Sequence, residues 1–228
     1  MANTTVIIPT LLRSPHTLQK NIDILLKQNV KLIIIDNSQH SGCKKYEQEN
    51  IKVYYFPENI GVNPAWNLGV ANTQTEYYLL LNDDCIVWDK VIEVSENILS
   101  DPVIGLLTYK TINNMDINLY ETLITGRNKS ANLVIMDLHS RAARAGWFMF
   151  GRKSQYNPIP DELKIFFGDD ILYKQLRKKG LRTVEDQAHF LTHFVSTTVN
   201  GINAIPEYWR KEEDFYYNYI NKNNLQKY

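Results

Sequence analysis

Residues 77–84 read Tyr77-Tyr78-Leu79-Leu80-Leu81-Asn82-Asp83-Asp84. The apolar run is too short for a stable helix and suits a strand buried on both faces. The polar residues after it mark where that strand leaves the core. The same figure recurs upstream. Thr5–Ile8 closes at Pro9-Thr10, Leu32–Ile35 closes at Asp36-Asn37-Ser38, and Ile51–Phe56 is a third such run. Helical signals lie between them. Ser14-Pro15 reads as an N-cap and first helical residue, with Leu18, Ile22, Leu25 and Leu26 forming one apolar face. Asn63-Pro64 starts another helix through Ala71. Buried strands alternating with amphipathic helices predict an α/β, Rossmann-like fold: a mostly parallel, twisted sheet with helices on both faces. Ligands of such sheets bind beyond the carboxyl ends of the strands. Thr10, Asp36-Asn37 and Asn82-Asp83-Asp84 are therefore expected to converge on one edge.

The second half is less regular. Val103–Tyr109, Asn132–Met136 and Leu181–Val184 read as strands, and Gly146–Gly151 is an aromatic run between glycines. Ile171–Lys179 reads as a short basic helix stopped by Gly180. There is no internal repeat, low-complexity tract or linker. Residues 1–205 are read as one domain and residues 206–228, rich in aromatic residues, as a C-terminal helical extension packed on or beside it.

Composition narrows the function. The 228 residues are 44% hydrophobic and 22% charged, which excludes disorder and coiled coil as the main state. Lys+Arg and Asp+Glu are both 25, so a strongly basic nucleic-acid binder is not expected. Cys43 and Cys85 suggest neither a disulfide framework nor a structural zinc site. The N-terminus lacks a basic segment followed by a long apolar stretch, and no apolar run is long enough to span a bilayer. A cytoplasmic protein is expected.

Several residues carry chemistry. Adjacent carboxylates at a strand end repel unless a cation or hydrogen-bond donors offset them. Asp83 and Asp84 thus suit magnesium or manganese, although an Asx turn is the plainer alternative. Asp36 suits a nucleobase or ribose. Asn59-Ile60-Gly61 and Asn67-Leu68-Gly69 straddle a helix start, where glycine admits close approach and the helix N-terminus favours phosphate. Asp169 and Asp170 begin a helix after Phe166-Phe167-Gly168. There the helix dipole favours acids, and a carboxylate beside a hydroxyl can act as general base. His193 is a metal or phosphate candidate, and His189 four residues before it makes a two-histidine zinc helix conceivable.

These motifs, in the order Val6-Ile7-Ile8-Pro9-Thr10, Ile35-Asp36-Asn37-Ser38, Asn59-Ile60-Gly61 with Asn67-Leu68-Gly69, Leu81-Asn82-Asp83-Asp84 and Gly168-Asp169-Asp170, resemble a family 2 glycosyltransferase of the GT-A fold. The likeness runs from about Thr4 to Ser196 and resembles small bacterial or bacteriophage forms. It implies an inverting transfer of a sugar from a nucleotide-sugar, expected to be a UDP-sugar, to an acceptor hydroxyl. Pro9, Thr10, Arg13, Asp36, Asn37, Asn59, Gly61, Asn67, Asn82 and Asp83 would line the donor site. Asp84 and His193 would hold Mn2+ or Mg2+. Asp170 would be the base, with Asp169 orienting its neighbours. Asn82 stands where the family's motif commonly has aspartate, and Asp-Asp stands where Glu-Asp is common.

The acceptor side is expected around Ser140–Tyr156, with Gly146, Trp147, Arg144 and Arg152 as contacts. This stretch holds Arg141, Arg144, Arg152 and Lys153 and no acid after Ser140. Arg127, Lys129, Lys174, Arg177, Lys178 and Lys179 extend the basic character. The acceptor is expected to be a glycan, a lipid-linked glycan or a hydroxymethylated DNA base. Two other readings stay open: a nucleotidyltransferase, disfavoured because Pro9–Pro15 holds one basic residue, Arg13, and no glycine, and a non-catalytic nucleotide-sugar-binding module.

Overall fold

The computed structural model describes residues 3–113, 130–136, 146–194 and 205–228. Arg127, Lys129, Arg141 and Arg144 lie outside the described residues.

Among the described residues, nine strands form one sheet. The apolar runs of the first half become β1 (Thr4–Thr10), β2 (Lys31–Asp36), β3 (Ile51–Tyr55) and β4 (Tyr77–Leu81). They lie side by side in the order β3-β2-β1-β4, and all their pairings are parallel. Two helices connect them, α1 (Pro15–Leu26) and α2 (Val62–Asn72). After β4 come β5 (Cys85–Ile86), α3 (Val91–Leu99), β6 (Ile104–Asn113), β7 (Leu133–Ile135) and β8 (Phe148–Arg152). Helix α4 (Gly168–Lys178), β9 (Arg182–His193) and α5 (Ile205–Lys222) complete the chain.

The second half adds antiparallel strands to the α/β sheet expected from sequence. β8 inserts antiparallel between β4 and β6, and β5 and β7 pair antiparallel to β9. Only β6 and β9 pair in parallel there. The result is a mixed sheet. β9 also runs well past the Val184 expected from sequence. A register shift between Tyr109 and Lys110 leaves residues 187–189 bulging from β9 before pairing resumes at Phe190. Asp186 holds this bulge. Its Oδ1 accepts the N–H groups of Asn132 and Ala188, and its Oδ2 meets His189 Nδ1 at 2.6 Å. His189 and His193 therefore stand on a strand, not a helix, about 13 Å apart along it. With His189 held by Asp186, the two-histidine zinc helix is not formed.

Side-chain alternation sends each strand's residues to two cores. Val6, Ile8, Leu32, Ile34, Leu79 and Leu81 pack against α1 and α3. Ile7, Ile33, Ile35, Tyr78 and Leu80 pack against α2, α4 and α5. Burial of both faces explains the continuous apolar runs. Helix α5 joins the second core through Tyr216 and Ile220, and Lys174 Nζ donates to the carbonyls of Leu225 and Tyr228.

Candidate functional site

The ends of β1, β2 and β4 do meet on one edge. Thr10 is paired with Asp36 across β1 and β2. The Thr10 hydroxyl donates to Asp83 Oδ2 at 2.5 Å and accepts the Leu12 N–H. Asp83 and Asp84 are both buried. Burial, with the charge of Asp84 adding to it, pushes the Asp83 carboxyl up to about 6, against the Thr10 hydrogen bond and the positive charge of Arg13. Exposed Arg13 thus acts on this edge.

Asp36 is fully buried. One of its oxygens accepts the Ser38 N–H at 2.9 Å and the other the Cys43 N–H at 2.8 Å, so the carboxylate shapes the loop that follows it. The Cys43 thiol is pushed up to about 12 by burial and then by the charge of Asp36. Asn37 donates its backbone N–H to the Thr10 carbonyl, and its Oδ1 accepts the Ile60 N–H. The Ser38 hydroxyl, buried nearby, has no hydrogen-bond partner among the described residues. Sequence inspection did not single it out, because a serine after Asp-Asn reads as an ordinary turn.

The other half of the site comes from far along the chain. Asn82 N–H donates to the Trp147 carbonyl at 3.0 Å, fixing the acidic turn to the start of β8. Phe194 N–H donates to the Asp84 carbonyl at 2.8 Å. His193 Nε2 lies 3.5 Å from Asp84 Oδ1, and the Trp147 ring lies 5.0 Å from the His193 ring. The Trp147 indole N–H is buried with no hydrogen-bond partner among the described residues. Gly146 abuts the acid pair: a Cβ there would come 3.1 Å from Asp169 Oδ2.

Asp169 and Asp170 occupy the first turn of α4, where the helix dipole favours negative charge. Asp169 Oδ1 accepts the Asp170 N–H at 2.9 Å, and Asp170 is buried. The residue before Gly168 is Phe167, held in the left-handed region at φ 61. A non-glycine residue there is strained and persists only where its surroundings enforce it. Those surroundings come from α5. The Phe167 ring stacks on Tyr216 and leans on Trp209. The buried Glu212 carboxylate accepts the N–H groups of Lys164, Ile165 and Phe166 at 2.8–3.2 Å. Sequence inspection missed Glu212, since a glutamate in a charged amphipathic helix carries no signal of burial.

Other expected contacts serve the fold. Asn67 Nδ2 donates to the Ile159 carbonyl, and its Oδ1 accepts from the Tyr156 hydroxyl and the Ile159 N–H. Asn59 Oδ1 accepts the Gly61 N–H. Gly61 has φ +90, and a side chain there would run into the Lys164 carbonyl, so its close approach is to this backbone. Arg152 lies opposite Tyr77, at the end of β4 remote from Asp83, and donates to the carbonyls of Ile104 and Asp101. This corrects its expected place on the acceptor side. Pro9 is buried within β1. The basic side chains of α4 are likewise engaged: Arg177 donates to Thr183 Oγ1 and the Met136 carbonyl, Lys178 to the Asn223 carbonyl, and Lys179 to Gln155 and Asn157.

The donor set of one carboxylate and one imidazole, buried side by side, fits a divalent cation. Cys85 joins them: Asp84, Cys85 and His193 each place a ligand atom within 4.8 Å of the others. A lone cysteine after two acids gave no sequence signal for this.

The structure is similar to the crystal structure of S. aureus TarS 1-349, with a TM-score of 0.62 at 17% identity over 85% of this chain and 60% of that one. It is similar to the same TarS fragment in complex with UDP, with a TM-score of 0.60 and 18% identity over 86% and 61%. It also matches mannosyltransferase PcManGT from Pyrobaculum calidifontis in complex with GDP-Man and Mn2+, with a TM-score of 0.61 and 12% identity over 86% and 58%. The chain thus spans about three fifths of each of these. At such identities the likeness shows the shared fold. No curated protein sequence matches the chain. The family model described as glycosyl transferase family 2 matches residues 5–174, from the first strand of the sheet into the helix that carries Asp169 and Asp170. With that match covering most of its length, the chain belongs to glycosyl transferase family 2.

Proposed function

We propose that the chain transfers a sugar from a nucleoside-diphosphate sugar, most simply a UDP-sugar, to an acceptor hydroxyl with inversion. The observation that carries this reading is the single edge where Thr10–Asp83, Asp84–His193 and Gly146–Asp169 lie in succession. Such a row offers a nucleoside end, a cation position and an acid pair in the order that a donor and acceptor need.

Thr10, Arg13, Asn37 and Asp83 would receive the nucleoside and its ribose, and Asp36 would keep the adjoining loop in shape. Asp84 and His193 would hold the Mn2+ or Mg2+, which supplies positive charge for the departing diphosphate. Asp170 removes the proton from the acceptor hydroxyl. The acceptor oxygen forms its bond to the anomeric carbon as the bond from that carbon to the diphosphate oxygen breaks. The nucleoside diphosphate leaves with that electron pair, and attack from the opposite face inverts the centre. Asp169, bonded to the Asp170 N–H and backed by Gly146, orients the acid pair. The Gly146 backbone and the Trp147 side chain border the acceptor approach. An indole face suits a sugar ring. The basic residues Arg152, Lys174, Arg177, Lys178 and Lys179 are engaged with the protein's own oxygens, which supports a carbohydrate acceptor over a DNA base.

A thermal-shift screen tests the reading. UDP, GDP, their sugars and nucleoside triphosphates are added with and without manganese, since a ligand of the native state raises Tm in proportion to the logarithm of its excess over Kd. A manganese-dependent shift with UDP, larger for one UDP-sugar, is the expected result. A shift confined to GDP would change the donor. A shift with nucleoside triphosphates alone would support a nucleotidyltransferase. Binding without hydrolysis or transfer would support a non-catalytic module.

A further inference from the structure

We infer that Cys85 is a third protein ligand of the cation position, a sulfur donor that raises its preference for Mn2+, Co2+ or Zn2+ over Mg2+. The inference rests on the reading that Asp84 and His193 hold a metal, and adds to it a ligand and a class of ion.

The fold makes the cluster. β5 and β9 pair antiparallel with Cys85 directly opposite His193, which puts their side chains on one face of the sheet. Phe194 N–H ties the end of β9 to the Asp84 carbonyl, closing the third corner. Cys85 Sγ lies 4.0 Å from Asp84 Oδ1, and His193 Nε2 lies 3.5 Å from the same oxygen. A tetrahedral ion with bonds of about 2.1 Å to nitrogen and oxygen and about 2.3 Å to sulfur separates such ligands by about 3.4 Å and about 3.6 Å. The two separations from Asp84 thus stand within a few tenths of an ångström of those in such a ligand set, and Cys85 Sγ and His193 Nε2 lie within 4.8 Å of each other. All three residues are buried, with Cys85 at 0% exposure, and the Trp147 ring, whose N–H has no partner among the described residues, lies beside the His193 ring. Three protein ligands leave a fourth position for a diphosphate oxygen or water.

Hard cations such as Mg2+ prefer oxygen ligands, whereas thiolate and imidazole favour zinc and cobalt. On binding, the Cys85 S–H bond breaks, its electron pair forms the metal–sulfur bond, and the proton passes to solvent.

Cobalt titration of the full chain tests this. The expected result is an intense visible spectrum of low-coordinate Co2+ together with a near-ultraviolet thiolate-to-cobalt band. Cys85→Ser should lose that band and weaken Co2+ binding by at least ~10-fold, while Cys43→Ser keeps both. Zn2+ at equimolar level should displace Co2+, and Mg2+ at ~100-fold excess should not. Visible bands without the near-ultraviolet band, or a band unchanged in Cys85→Ser, would overturn Cys85 as a ligand and leave the Asp84–His193 reading standing. No cobalt spectrum with or without UDP would overturn both. Cadmium-113 resonance on the unsubstituted chain gives the answer without a variant: a shift typical of thiolate ligation supports the inference, and one typical of oxygen and nitrogen alone overturns it.

Discussion

The two halves of the sheet build the site by different routes. On the side of β1, β2 and β4, each candidate residue directly follows an apolar run, so it sits where its strand leaves the core. On the side of β5, β8, β9 and α4, the candidate residues are brought in by pairings between distant segments. Asn82 meets Trp147, Cys85 faces His193, and Glu212 holds the turn before Asp169. The first half needs only parallel stacking of local strands. The second needs a bulge, an antiparallel insertion and a C-terminal helix.

Substitutions can break this comparison at either side. The largest effect is expected from Asp170→Asn, which keeps the shape and loses the base. Transfer should fall by about 10²–10⁴-fold with donor affinity little changed, read as initial rates beside a nucleotide-binding isotherm. Loss of donor binding in this variant would contradict the role given to Asp170. Asp84→Ala should do the reverse, reducing metal-dependent nucleotide binding by about 10–100-fold or more, as measured by calorimetry with and without manganese.

Glu212→Ala sharpens the contrast by attacking the brace rather than the site. The part-buried backbone N–H groups of residues 164–166 would lose their acceptor, at about 1–3 kcal/mol in total. Denaturant unfolding should show that loss, and Glu212→Gln should restore part of it. Equal stability in Glu212→Ala and the parent would mean that α5 is no brace.

The pH response isolates the edge of β4. The Asp83 carboxyl is raised to about 6, chiefly by burial, so the folded chain binds this proton more tightly than the unfolded one. Its contribution to stability therefore rises as pH falls from 7 through 6 toward 4. Without metal, the Tm of the parent should gain a few degrees on the Asp83→Asn variant between pH 7 and pH 5. A constant difference would show that the carboxyl titrates normally. The smallest effect is expected from Arg152→Ala, at about 1 kcal/mol of stability from the lost carbonyl bonds and no change in nucleotide binding. A large loss of nucleotide binding would return Arg152 to the site.

The comparison also explains what could be read before folding. The strands and their shared edge were legible because a strand buried on both faces needs an unbroken apolar run and must end in polar residues. Thr10, Asp83, Asp84, Asp169 and Asp170 followed from that rule and from motif order. Asn67, Asn59 and Gly61 were read as donor contacts because asparagine and glycine look alike whether they meet a phosphate or a carbonyl. Here they meet the backbone of residues 159–164 or their own turn. The antiparallel course of β8 was hidden, because an aromatic run does not encode strand direction.

What the sequence by itself determined is the layered α/β frame and the edge on which its polar strand ends gather, since both follow from local periodicity and the burial of apolar side chains. What only the tertiary structure decided is which distant groups complete that edge. The approach of Cys85 and His193 to Asp84, the seating of Gly146 against Asp169 and the hold of Glu212 on the turn before α4 each depend on pairing between segments far apart in the chain. Such pairings are set by the sum of many packing contacts, and no short stretch of residues carries that sum.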